Sequence, residues 1–294
     1  DLALLHLVDV LKELDEPARE AYLTAAKWNI QRYYIAKLWD PREQFFRDSL
    51  DISTFVPNKS ATLVEALLML ARLTHDDSLV EMYVIPTLEA ILAHQVQPED
   101  TSGDAGPLQG GIYQYSQEGR LVQKFFPYYI SSCIPALVRG YAQIGNLGSV
   151  SGLGSVSGQR YLDAAFQAMR FLIRWRYADG SFPQVIYPDG YVNRYPQWIA
   201  GAADILRAMA FFRLYGLDAY PELTETWLLR GQELTGGFRT AWGFASQVSQ
   251  REPGTLPEFR DILPVVGWND KVFRYLTEIT PTTAGTPTTA GAPT

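Results

Sequence analysis

The chemically richest stretch of the chain lies between residues 179 and 207. There Asp179, Gln184, Tyr187, Asp189, Tyr191, Asn193, Arg194, Tyr195, Gln197, Trp198, Asp204 and Arg207 follow one another closely. Two reaction types draw on such groups. β-Elimination next to a carboxylate requires that carboxylate to be neutralised, by Ca²⁺ or by arginine, before a base can remove the neighbouring proton. Arg194, Arg207, Arg239 and Lys124 are the available cations, and Tyr128, Tyr191 or Tyr195 the proton carriers. Glycosidic hydrolysis needs two carboxylates flanking the bond, one with a raised pKa. Asp179, Asp189, Asp204 and Glu118 supply acids near the loops, with Glu65 on a helix. Asp204 and Arg207 stand one helical turn apart, so their side chains can meet. On an apolar helix such a pair either braces the structure or serves a cleft, because an uncompensated buried charge is costly.

A second polar segment, residues 260–271, brings Trp268, Asn269 and Asp270 to a helix start. Read structurally, Asn269 or Asp270 caps that helix. Read functionally, Trp268 stacks a sugar ring and Asp270 hydrogen-bonds it; Trp242 has the same capacity.

These residues must be positioned by something, and the chain repeats itself where they occur. Asp179-Gly180-Ser181-Phe182-Pro183-Gln184 recurs in weaker form as Gln109-Gly110-Gly111-Ile112-Tyr113 and Thr235-Gly236-Gly237-Phe238-Arg239. Glu43-Gln44-Phe45-Phe46 is a degenerate first copy without glycine. The copies lie roughly 55 to 70 residues apart, room for one helical hairpin and a loop, which marks a repeat architecture.

Apolar periodicity predicts helices at 1–14, 16–38, 60–73, 79–95, 128–144, 160–177, 196–215, 220–233 and 266–279. Pro17 suits a first turn, Ser60 an N-cap, and Pro86 predicts a kink. Helices just after the loops (60–73, 128–144, 196–215) are apolar all round and should be buried, whereas those before the loops are amphipathic. Alternating inner and outer helices predict an all-α fold. It is an α/α toroid of about four hairpins, either complete or incomplete and open, forming one domain over residues 1–279 with the glycine loops at one mouth. Residues 280–294, rich in Thr, Pro, Ala and Gly, predict a disordered tail or linker. The tandem Leu-Gly-Ser-Val-Ser-Gly at 147–152 and 153–158 reads as a flexible spacer.

Gly180-Ser181-Phe182-Pro183-Gln184, Tyr187-Pro188 and Tyr191 resemble the Gly-Gly-Trp-Pro-Gln, Tyr-Pro and tyrosine motif of the toroidal pectate lyases. The match covers about 30 residues of the chain. That family's Asn-Asp pair is missing where Ile199-Ala200-Gly201 stands, and Asp204 is the analogous acid. The resemblance implies an acidic polysaccharide as substrate and a role for Ca²⁺. Gln232-Glu233-Leu234-Thr235-Gly236-Gly237-Phe238 is similar to the repeat turn of the terpenoid cyclase and prenyltransferase toroids. Their functional residues are absent: there is no Asp-x-Asp-Asp motif, and no histidine follows Cys133. Asp76-Asp77 with Glu81 reads as a cap and turn.

Other classes are disfavoured. The net charge of −7 and the lack of a basic run argue against nucleic acid. No uninterrupted apolar stretch is long enough to span a membrane. The first residues do not read as a signal peptide, although the chain starts without Met. A lone Cys133 excludes an intramolecular disulfide, and His6, His75 and His94 are too scattered for a histidine metal site or a Ser-His-Asp triad.

The resulting expectation is a carbohydrate-active toroid, a lyase or hydrolase of an acidic poly- or oligosaccharide. Asp204, Arg207, Arg194 and Asp179 are the catalytic candidates. Gln184, Tyr187, Tyr191, Tyr195, Trp198, Arg239, Trp242, Trp268, Asp270, Tyr128 and Lys124 are the candidates for substrate binding. No metal ligand is assigned, and Ca²⁺ remains the one ion implied. An isoprenoid-handling toroid would instead have a cavity with few charges, and a non-catalytic binding module a polar cleft without an acid–base pair.

Overall fold

Each copy of the repeated phrase becomes the same turn at the same point of a helical hairpin. Gly110, Gly180 and Gly236 adopt φ of 83°, 88° and 89°, the left-handed region glycine enters without strain. In the degenerate copy Gln44 holds the equivalent place at φ 56°. Two positions later Phe46, Ile112, Phe182 and Phe238 point into the core as buried anchors. The phrase therefore encodes one left-handed residue, one spacer and one apolar plug.

The computed structural model describes residues 2–13, 17–97, 106–151, 155–213, 220–252 and 259–279; the predicted tail at 280–294 lies outside them. The helices are α1 (Leu2–Glu13), α2 (Ala18–Asn29, continued as a π-helix over Ile30–Leu38), α3 (Pro57–Thr74), α4 (Ile85–Ala93) and α5 (Pro127–Ser151). They continue with α6 (Ser155–Trp175), α7 (Ala202–Arg213), α8 (Glu222–Leu229), the short α9 (Phe259–Ile262) and α10 (Val266–Ile279). Helices α1, α3, α5, α7 and α10 pack side by side in that order as an inner layer. Helices α2, α4, α6 and α8 each pack outside the inner helix that precedes them. Among the described residues this is an α/α toroid of four hairpins and a further inner helix. α3 and α7 are buried on nearly all sides, as their unbroken apolar sequences require.

The connections into the inner helices carry two- and three-residue strands and gather at the N-terminal ends of those helices. They are β1 (Trp39–Asp40) with β2 (Phe45–Phe46), and β3 (Thr54–Phe55) with β4 (Tyr115–Gln117) and β5 (Arg120–Val122). β6 (Val185–Ile186) pairs with β7 (Val192–Asn193), and β8 (Gln197–Trp198) with β9 (Ala241–Trp242), all antiparallel.

Four local expectations change. The helix predicted from Pro196 begins at Ala202, because Gln197 and Trp198 pair with Trp242 and Ala241 across two loops. Ser60 is no cap; Pro57 opens α3 after an extended Val56, and Ser60 is buried within the first turn. The irregularity at Pro86 takes the form of a π-helical segment, Val80–Val84, immediately ahead of α4. The duplicated hexapeptide is largely helical, extending α5 to Ser151 and starting α6 at Ser155, since propagating a formed helix is cheaper than nucleating one. Residues 152–154 lie outside the description.

The glycine turns differ in what lies beyond them. A Cβ on Gly180 would sit 1.9 Å from the Leu223 carbonyl oxygen in α8, and one on Gly110 would sit 2.1 Å from that of Gln167 in α6. A Cβ on Gly236 would meet nothing within 4 Å. Gly180→Ala is therefore expected to cost about 2–4 kcal/mol, strain plus backbone displacement, and Gly236→Ala only about 1–2 kcal/mol of strain. Urea midpoints at constant m-value check the difference.

Candidate functional site

Charged side chains from four inner helices meet inside the ring. Glu65 of α3 and Arg207 of α7 are almost wholly buried and pair in a fork, with Nη1–Oε1 3.0 Å and Nη2–Oε2 2.5 Å. Arg139 of α5 adds Nε at 3.3 Å from Glu65 Oε2. The guanidinium groups of Arg139 and Arg207 lie 5.2 Å and 5.3 Å from the Phe211 ring centre. Burial pushes the Glu65 pKa up, but Arg207, Arg139 and Arg274 outweigh it and hold the carboxyl below its ordinary range.

Asp204, buried in the first turn of α7, faces two cations from α10. Its Oδ1 accepts from Arg274 Nη2 at 2.9 Å, and its Oδ2 from Lys271 Nζ. Asp204 and Arg207 thus both enter the interior network, each bonded to a partner on a different helix.

Lys271 and Arg274 also line a cavity of about 470 Å³, together with Tyr33, Tyr34, Arg47, Asp48, Lys59 and Ser132 among others. Its walls come from α1, the π-helical end of α2, the start of α3, α5 and α10. Because α3 and α10 are not neighbours in the inner layer, a cavity touching both spans the middle of the ring. Its lining includes the first turns of α3 and the residues Phe46, Arg47, Asp48 and Val56 of the connection that precedes them. Asp48 is ion-paired to Lys59 at 2.6 Å.

Three further predicted residues adjoin this centre. Trp198 stacks on Trp268 with ring centroids 4.8 Å apart and an interplanar angle of 9°. Lys271 Nζ lies 5.6 Å from the Trp268 ring, joining the stack to Asp204. The Tyr128 hydroxyl accepts the Trp198 N–H at 3.2 Å and donates to the Phe182 carbonyl at 3.3 Å. Burial pushes the Tyr128 pKa far up, so this phenol is a structural hydrogen-bonding group at neutral pH.

The other predicted residues are placed elsewhere. Tyr187, Tyr191 and Lys124 form a rim cluster closed by a segment the sequence did not single out. Arg251 lies 4.9 Å from the Tyr187 ring and 4.4 Å from the Tyr191 ring, and pairs with Asp189 at 2.9 Å. Lys124 bonds Glu252 beside it. Gln184 donates its backbone N–H to Asn193 at the β6–β7 turn. Asp179 accepts from the Ser181 N–H and hydroxyl, a turn role, with Arg194 3.9 Å away and lying over Tyr177 and Tyr195. Tyr195 packs edge-on against Trp242. Arg239 is ion-paired to Glu233, and with Trp242 it lines a separate pocket. Asp270 is exposed on α10, while Asn269 clamps the Phe238 peptide, accepting its N–H at 2.7 Å and donating to its C=O at 2.9 Å. Asp76 accepts from the Ser78 hydroxyl at its turn, as expected.

Sequence reasoning missed Arg139, Arg47, Asp48, Lys59, Arg251 and Arg274, and gave Lys271 no role. Arg139 carried a usable signal: like Glu65 and Arg207, it is a charge within a long apolar inner helix.

Asp204 does not suit Ca²⁺, which takes six to eight oxygen ligands, because two cations already hold both its oxygens. Among the described residues no three His, Cys, Asp or Glu side chains gather to hold a metal. His94 is structural, its ring bonded to the Ala90 carbonyl and the Ser116 hydroxyl. Cys133 is a buried thiol whose pKa is raised by burial. Among the described residues no helix is long and apolar enough to cross a membrane.

Comparison of the sequence with protein-family models finds no match, and comparison with curated proteins finds none either. Solved structures share the fold. One is a glycoside hydrolase family 76 mannosidase from Bacteroides thetaiotaomicron VPI-5482, 11% identical with a TM-score of 0.58, over 78% of this chain and 57% of that one. Another, described as a possible member of the GH105 family, comes from Salmonella enterica serovar Paratyphi A; it is 12% identical, TM-score 0.64, over 94% of this chain and 69% of that one. A polysaccharide lyase is 10% identical, TM-score 0.58, over 95% and 72%. The chain thus spans little more than half the length of the mannosidase it matches, and the similarity establishes the toroid architecture.

Proposed function

We propose that the ring cavity binds an acidic poly- or oligosaccharide and that the protein cleaves it there, by β-elimination or hydrolysis. The observation that carries this reading is the sharing of one buried carboxylate, Asp204, between two cations that also line the cavity. Lys271 and Arg274 are held in place by Asp204 yet keep charge to offer a ligand. In a protein of net charge −7, a cationic patch at the ring centre suits an anion such as a uronate carboxylate. Neutralising that carboxylate raises the acidity of the adjacent C–H, which is what elimination requires.

Tyr33 and Tyr34 are the phenols on the wall for proton transfer; Asp48 is the one carboxylate among the described lining residues, so the wall supplies elimination better than hydrolysis, which needs two. Asp204 acts as a positioning residue through Lys271 and Arg274, whereas Arg207 with Glu65 braces α7 against α3. Trp268, stacked on Trp198, extends the site towards a sugar face. The toroidal hydrolases and lyase of similar fold support the class of chemistry. An isoprenoid cavity calls for few charges, and Arg47, Asp48, Lys59, Lys271 and Arg274 on this wall disfavour it.

A screen of uronate and neutral polysaccharides, following unsaturated-uronate absorbance and reducing ends, tests the reading. Cleavage confined to uronate substrates is expected; new absorbance identifies elimination, and reducing ends alone identify hydrolysis. Silence on every uronate substrate, or equal cleavage of neutral ones, overturns it.

A further inference from the structure

The cations on the cavity wall, Arg47, Lys59, Lys271 and Arg274, are not balanced alike. Lys59 has a carboxylate of its own, Asp48, at 2.6 Å. Lys271 and Arg274 share one, Asp204. Arg47 has none. Among the described residues no carboxylate is ion-paired to it; its Nη2 donates to the Lys37 carbonyl at 3.3 Å, and its Nε–H is shielded from water without an acceptor. Four cations set against two carboxylates leave two positive charges in two places, one on Arg47 and one spread over the α10 pair. Glu65, behind the wall, does not offset them, because Arg207 and Arg139 already share it.

Arg47 is also held in place. It follows Phe46, the apolar plug of the degenerate first copy of the repeated phrase. Its N–H donates to the Leu38 carbonyl at 2.8 Å, and it bridges to the wholly buried Phe55. Arg239, which follows the plug Phe238 in the last copy, has Glu233 as the partner that Arg47 lacks. A half-buried cation on a fixed main chain, without a counter-charge, is arranged for an anion from outside. We infer that the ring cavity holds two acidic groups of one ligand, the first on Lys271 and Arg274 and the second on Arg47. The inference rests on the ring cavity being the saccharide site. It narrows the ligand from any uronate-bearing saccharide to one with two acidic groups, such as two consecutive uronates. Both cationic points line one cavity of about 470 Å³, so the two groups belong to neighbouring sugar units. The planar guanidinium of Arg47 suits a carboxylate, which it can meet through two parallel hydrogen bonds.

Calorimetric titration of the full chain tests this with four ligands: a disaccharide of two uronates, the two forms with one carboxyl reduced, and the doubly reduced neutral form. The dianion is expected to bind at least tenfold more tightly than either monoanion. Arg47→Gln should remove that advantage, and Arg47→Lys, which keeps the charge, should retain most of it, both with unchanged helical circular dichroism. A monoanion that binds the wild type as tightly as the dianion overturns the inference, while its preference over the neutral form would leave the ring-cavity reading standing. A dianion advantage that survives in Arg47→Gln overturns the inference too. If no charged form binds more tightly than the neutral disaccharide, the ring-cavity reading falls and the inference with it.

Discussion

Glu65→Gln is expected to destabilise the toroid by about 3–5 kcal/mol, the usual cost of removing one partner from a buried ion pair. Arg207 would keep its charge, almost wholly buried, after losing the carboxylate that accepts both its terminal nitrogens. The double replacement Glu65→Leu with Arg207→Met removes both charges at similar volume and is expected to recover most of the loss. A urea series on the three proteins checks this, and a double variant as unstable as Glu65→Gln would contradict it. The pH dependence has a definite sign. The folded Glu65 pKa lies below its unfolded value of about 4.3, held there by its arginines against the opposing effect of burial. Its contribution is therefore fully present above the unfolded value and is lost as pH falls through the folded one. Wild type should lose stability steeply on that acid limb, and the Leu/Met double variant less so.

Arg274→Ala is expected to lower kcat/KM on a uronate substrate by roughly 10- to 150-fold, corresponding to about 1.5–3 kcal/mol for a lost charge-assisted hydrogen bond. Lys271→Ala should behave alike. Each single change leaves Asp204 with one cation, so the fold should survive, whereas the double change would strand a buried carboxylate. Arg194→Ala, at a loop residue outside the cavity lining, should have a small effect. Steady-state kinetics on the three variants separates these cases. Equal losses at Arg194 and Arg274 would move the site from the ring centre to the loop.

The hairpins were legible because their turns are fixed by backbone geometry and one buried plug, which leave a mark even where Gln44 replaces glycine. Half of the charged centre was legible for a related reason: Glu65 and Asp204–Arg207 interrupt helices otherwise apolar on every side, and a buried charge needs a partner. Lys271 and Arg274 were not. They sit on an amphipathic helix, and in sequence a face of charges turned towards a polar cavity reads the same as one turned towards water. Asp179 illustrates the converse. Aspartate two residues before a serine N–H serves a turn with the same carboxylate that hydrolysis would use, so residue type alone could not separate the roles. The start of α7 was missed because Gln197 and Trp198 pair with a strand more than forty residues away in sequence, a partner outside any local window.

The central claim is that the ring cavity selects a saccharide for its carboxylate through Arg274 and Lys271. Calorimetric titration with a uronate trisaccharide and with its carboxyl-reduced, neutral counterpart tests it most directly, because the two ligands differ only in charge. At least tenfold tighter binding of the uronate is expected, about 1.4 kcal/mol, with the preference abolished in Arg274→Ala. Equal affinities, or a preference that survives in Arg274→Ala, would contradict the account.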